Sequence, residues 1–174
     1  MRFFCFRVQC FFVIPLLLFF PVEIRAQVFS SGPDDPTRFD TVLNLPADQA
    51  ALGDSVGNLG GLATPTTQLN VADGGTVDSF FKMYSGSEVN INNGGTVGFR
   101  VQAFSGSEVN INGGTVGVSF EIFYGSEVNI SGGTVGRSFR AGSGSEVNIS
   151  GGSIDSLSAE GVSEVNISWG TVGN

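Results

Sequence analysis

The sequence predicts an all-β chain: a β-solenoid, or parallel β-helix, of about five coils with 18–20 residues and three short strands in each. Three observations predict it. First, one phrase recurs, in its clearest form as GSEVNISGGTVG over Gly125–Gly136, and its first apolar residue falls at Leu69, Val89, Val109, Val128, Val147 and Val165. The steps are 20, 20, 19, 19 and 18 residues, and a fixed period near 20 is the signature of stacked coils. Second, each phrase alternates. Val71, Ile91, Ile111, Ile130, Ile149 and Ile167 follow two positions on, with Asn70, Asn90, Asn110, Asn129, Asn148 and Asn166 between. Such alternation places the aliphatic residues on one face of a strand and asparagine on the other. Third, a glycine pair such as Gly132-Gly133 closes five of the six phrases and reads as a corner, with Trp169 in place of the first glycine in the last.

The remaining elements of a coil follow in order. After the corner, Val77, Val97, Val116, Val135, Ile154 and Val172 form a third apolar column; Phe81, Val101, Phe120 and Phe139 form a fourth, and Met83, Ala103, Ile122 and Ala141 a fifth. A Ser/Gly-rich corner, as at Ser85-Gly86-Ser87, completes the turn. Each strand can then bond to its equivalent one coil away, at about 4.8 Å, so that five coils share a core no single coil could build. A helical reading fails on the glycines and the β-branched residues. The alternation predicts that Ile130→Asp prevents folding, while Asn129→Asp on the outer face is tolerated far better.

Residues 1–26 read as a secretory signal peptide: Arg2 and Arg7 precede the apolar run Phe11–Phe20, and Ala26 marks the cut. The alternative, a retained membrane anchor, needs about 20 apolar residues, more than this run offers. The mature chain is expected to have no transmembrane segment. Residues 27–68 carry Pro33, Pro36, Pro46 and Pro65 and read as a linker or an N-terminal cap, with one strand over Phe39–Leu45. The solenoid repeats occupy 69–174. They stop in mid-phrase at Trp169–Asn174, which leads to two expectations: a fragment of a longer chain, or a last coil whose open edge self-associates.

Charge and composition exclude several classes. Removing Glu23, Arg2, Arg7 and Arg25 with the leader leaves 15 acidic and 5 basic residues, a net charge of −10. Nucleic-acid binding, which wants a basic stripe, is not expected. There is no histidine, the two cysteines are Cys5 and Cys10, and Lys82 is the one lysine. No serine has an evident base, so the chain is not expected to be an enzyme.

The SEVNISGGTVG phrase, with its lead-in TQLNVADGG over Thr67–Gly75, resembles secreted glycine-rich β-solenoid repeats of planctomycete bacteria. More distantly it is similar to the passenger repeats of autotransporter adhesins. The resemblance covers Leu69–Asn174. It implies a β-helical protein that is secreted or held at the cell surface, and it carries over no catalytic residue. Longer members of that family bear a C-terminal sorting or translocator segment, and none is expected within Leu69–Asn174.

One column invites a binding role. Glu88, Glu108, Glu127, Glu146 and Glu164 each precede the first apolar residue and share the outward face with the binding-face candidates Asn90, Asn110, Asn129, Asn148 and Asn166. Rows of oxygen ligands suit calcium, the one cofactor considered, and those five glutamates are the metal candidates. The competing reading is a solvated face. Glu121 and Arg140 are expected to pair on adjacent coils. The Asn-Ile-Ser sequons at Asn129, Asn148 and Asn166 read as by-products of repetition.

The expected function is a secreted or cell-surface, non-catalytic scaffold with adhesive contacts to glycans or cell-surface components. One alternative is a calcium- or glycan-binding strip along the Glu/Asn face. The other is a repeat fragment of a longer secreted enzyme.

Overall fold

The computed structural model describes residues 41–48, 54–57 and 66–173. The signal peptide read over 1–26 lies outside them, as does most of the linker or cap. The described chain is a parallel β-solenoid of three sheets that contain seven, six and six strands. No described helix is long and apolar enough to cross a membrane.

The long sheet takes one strand from every coil, in sequence order: Thr41–Leu45, Thr67–Val71, Ser87–Ile91, Glu108–Ile111, Glu127–Ile130, Glu146–Ile149 and Glu164–Ile167. Its register pairs like with like, so that Val128 stands between Val109 and Val147, and Ile130 between Ile111 and Ile149. The second sheet stacks the Thr-Val pairs, as Thr115-Val116 between Thr96-Val97 and Thr134-Val135. The third stacks two- and three-residue strands such as Lys82–Met83, Gln102–Ala103 and Glu121–Ile122. The predicted columns are therefore ladders, and their inward members make one continuous buried core. Within it Phe120 and Phe139 stack with centroids 5.0 Å apart.

The solenoid has about six coils rather than five, because the ladder starts ahead of the first recognisable repeat. Thr41–Leu45 pairs in register with Thr67–Val71, and Ser55–Val56 with Lys82–Met83. The strand expected over Phe39–Leu45 is thus the first of the long sheet, described from Thr41 on. The step from Asn44 to Asn70 is 26 residues, against 18–20 elsewhere, and so this coil escapes a search for the period.

The corners are built by serine as well as glycine. Ser87, Ser107 and Ser145 are buried, and each hydroxyl donates to the carbonyl three residues back, Tyr84, Phe104 and Gly142, at 2.6 Å. Ser126 does the same to Phe123. The same four carbonyls also accept the backbone N–H of that serine, at 3.0–3.1 Å, so each corner is closed by a pair of bonds from one residue. At the far end the last described coil leaves inward residues uncovered, with Ile167 56% exposed.

Candidate functional site

Two outer faces bring together side chains with chemistry. The first is the face of the long sheet, where the sequence placed its Glu and Asn candidates. Stacking puts each asparagine within reach of its equivalents, and the carboxamides bond in a continuous ladder. The Nδ2 of Asn70, Asn90, Asn110, Asn129, Asn148 and Asn166 each donates to the Oδ1 of the asparagine one coil earlier, at 2.9–3.1 Å. The ladder begins at Asn44. The second hydrogen goes to the glutamate two residues back in the same strand: Asn90 to Glu88, Asn110 to Glu108, Asn129 to Glu127, Asn148 to Glu146 and Asn166 to Glu164, at 2.9–3.1 Å. Every asparagine that the sequence marked as a binding face thus spends both donors inside the molecule. The same engagement holds the amide nitrogens of the three sequons.

The five glutamates are brought into one row by the register, but they do not share one environment. Glu127, Glu146 and Glu164 are exposed and Glu108 is half-buried, whereas Glu88 is only 6% exposed. At Glu88, Gln68 of the coil before donates its Nε2 to the same Oε1 that Asn90 uses, at 3.0 Å. No group of three or more acidic, histidine or cysteine side chains among the described residues is arranged to hold a metal.

This geometry changes one expectation. Asn129→Asp would set a carboxylate against Asn110 Oδ1 and Glu127, and would forfeit two hydrogen bonds. We expect it to cost about 2 kcal/mol in chemical denaturation, still less than a charge in the core but far from neutral. Glu127→Gln with Glu146→Gln should act in the opposite direction. Carboxylates about 4.8 Å apart repel by roughly 0.9 kcal/mol each at the dielectric of water before screening. Glutamine keeps the acceptor for asparagine and can donate onward, as Gln68 already does to Glu88. The double variant should melt several degrees above the parent at low salt, with the gap closing in high salt. If instead millimolar calcium raises the parent but not the variant, the row is a cation site.

The second face is that of the third sheet. Four of its six strands are entered through a residue at positive φ that is not glycine: Phe80 (66°), Arg100 (55°), Ser119 (60°) and Ser138 (62°). For a phenylalanine or an arginine this is a strained conformation, costing about 1–3 kcal/mol. The next residue is buried and the one after it points out, giving the outward column Lys82, Gln102, Glu121, Arg140. Two residues on, Tyr84, Phe104 and Phe123 also point out and stack face to face, with centroids 5.1 and 4.9 Å apart. Between these columns lies a cleft of about 1010 Å³.

The expected pairing of Glu121 with Arg140 is present at 3.9 Å. A closer partner was missed: Arg140 Nε donates to Glu160 Oε1 at 2.6 Å. Glu160 lies two residues beyond Ser158, the strand partner of Arg140, so column alignment alone does not find it. The hydrogen bond from Arg140 holds the Glu160 carboxyl below its ordinary value.

No protein-family model matches the chain, and neither a curated protein nor a solved structure is significantly similar to it.

Proposed function

We propose that this chain is a secreted, non-catalytic solenoid that serves as a surface or matrix scaffold with adhesive contacts. The observation that carries the reading is the asparagine ladder. It runs unbroken from Asn44 to Asn166 along the outside of a continuous apolar core. Hydrogen bonds on the exterior and stacked side chains in the interior lock the same register, which suits an extended rod that bears load or presents a surface. The likeness of the SEVNISGGTVG phrase to secreted repeats supports an extracellular setting, whether of the planctomycete or the adhesin type. So does the leader-like stretch of Arg2 and Arg7 before Phe11–Phe20.

The test is fractionation of cells that express the whole chain, with mass spectrometry of its N-terminus. The scaffold reading expects protein in the medium or on the cell exterior, starting near Gln27. Beads coated with the purified chain should adhere to cells, and heat-unfolded chain should not. Retention in the cytoplasm with Met1 intact would overturn the secreted reading. Turnover of polysaccharides by the purified chain would overturn the non-catalytic one.

A further inference from the structure

We propose that the cleft on the third sheet is a binding site for an acidic glycan, a chain of sugars that carries uronate carboxylates, lying along the solenoid axis. This goes beyond the scaffold reading and does not need it, since it concerns a different face.

The argument starts from how side chains are placed there. Three outward columns run side by side across successive coils. Phe80, Lys82 and Tyr84 stand in one coil, and Arg100, Gln102 and Phe104 in the next. Ser119, Glu121 and Phe123 stand in the coil after that. The cleft of about 1010 Å³ lies among them, bordered by Phe80 and Arg100 on one side and Tyr84 on the other, with Lys82, Gln102 and Glu121 between. It meets a second groove of about 340 Å³ at Glu121, which continues past Tyr124 and Arg140. The two form a trough across the coils, parallel to the axis. The rise per coil, about 4.8 Å, is close to the length of one sugar residue in an extended glycan, so that successive sugars would meet equivalent positions.

The chemistry of the lining selects the occupant. Phe80 is 53% exposed and Phe99, packed edge-on against it with centroids 5.1 Å apart, is 44% exposed. Exposed aromatic surface beside polar groups suits the C–H faces and hydroxyls of a sugar. The backbone supports the same placement, because a strained φ of 66° holds the Phe80 side chain at the rim, and 55° does so for Arg100.

Charge then distinguishes an acidic glycan from a neutral one. The chain is acidic overall, yet the four basic residues among those described, Lys82, Arg100, Arg137 and Arg140, all fall in these columns or directly beside them. Arg140 is engaged by Glu160 and Glu121, and Glu121 also accepts from Gln102 Nε2 at 3.1 Å. Lys82 and Arg100 form no ion pair with a described carboxylate. Arg100 lies over the Phe80 ring, 5.8 Å from its centroid, a contact that leaves the guanidinium edge open to an anion. The glutamate row stands on another sheet, but Asp54 and Glu121 also line the cleft, so the uronate carboxylates belong at Lys82 and Arg100, with sugar hydroxyls donating to those two acids.

Calorimetric titration of the purified full chain tests this, with a hexasaccharide of galacturonate as the probe and a neutral glucose hexasaccharide as the comparison. The galacturonate chain should bind saturably, weaken as salt is added, and bind at least about tenfold more tightly than the neutral chain. Lys82→Gln combined with Arg100→Asn should weaken galacturonate binding by about tenfold or more. Asparagine tolerates positive φ, so the variant should keep the parent's melting temperature; if it melts lower, Lys82→Gln alone, on an exposed strand position, takes its place in the titration. Glu127→Gln, on the long sheet, should leave binding unchanged. Equal binding of the neutral hexasaccharide, unchanged affinity in the Lys82 and Arg100 variant, or no heat from either sugar at millimolar concentration would overturn the proposal.

Discussion

Ile130→Asp should abolish cooperative unfolding and the β-sheet signal in circular dichroism. Ile130 is 1% exposed and stacks between Ile111 and Ile149. The described core holds no buried charge that could compensate an aspartate there. An unpaired carboxylate in apolar surroundings costs more than most point substitutions, which rarely exceed about 4–5 kcal/mol. The geometry of a solenoid compounds the loss. Coils touch only their neighbours, so a failed layer separates the coils before it from those after it. The control is Ile130→Val, which removes one methylene and should cost about 0.5–1.5 kcal/mol. If Ile130→Asp melts like that control, the strand faces have been assigned the wrong way round.

Gly133→Ala should be strongly destabilising and Gly74→Ala only mildly so, although both belong to the glycine pair that leads into the second sheet, Gly74 as its first member and Gly133 as its second, and have φ of 77° and 78°. A methyl group at Gly133 would lie 2.4 Å from the carbonyl oxygen of Gly113 and 2.6 Å from its carbon. These are backbone atoms of the adjacent coil, and they cannot yield without breaking the bond from Thr134 N to Gly114 O, 3.0 Å long. At Gly74 nothing lies within 4 Å of the added carbon, and what remains is the cost of positive φ for alanine, about 1–2 kcal/mol. Denaturant midpoints of the two variants measure the difference, and Gly133→Ala should lose several kcal/mol more. Equal losses would mean that the coils are not packed corner on corner.

The columns were legible because a solenoid writes its strand pairing into its spacing. Val109, Val128 and Val147 are neighbours in the sheet for the same reason that they are one period apart in the chain. The sheet order, the inward faces and the corner at Gly132-Gly133 all follow from that. The first coil was not legible as a repeat, since 26 residues separate Asn44 from Asn70 and the glycine pair is missing there. Nor was the asparagine ladder. Alternation tells which face a side chain occupies but not what it touches. The available signal was that asparagine recurs directly above itself in every coil, which lets each carboxamide satisfy the next. Aligning repeats also hides the third-sheet cleft. Its lining comes from the positions that vary, where Phe80 gives way to Arg100 and then Ser119, and a consensus averages such positions away.

The unbroken register of the long sheet has a metrical consequence. Every coil adds the same increment, about 4.8 Å, and each of its contacts is made with the coil on either side. Excising one whole coil, Val109 to Glu127, would rejoin Glu108 to Val128 and bring Val89 against Val128 in place of Val109, with asparagine still over asparagine. The rod would shorten by one step and keep its cross-section. The molecule is in this sense a graduated ruler, on which the distance between two features is set by counting coils.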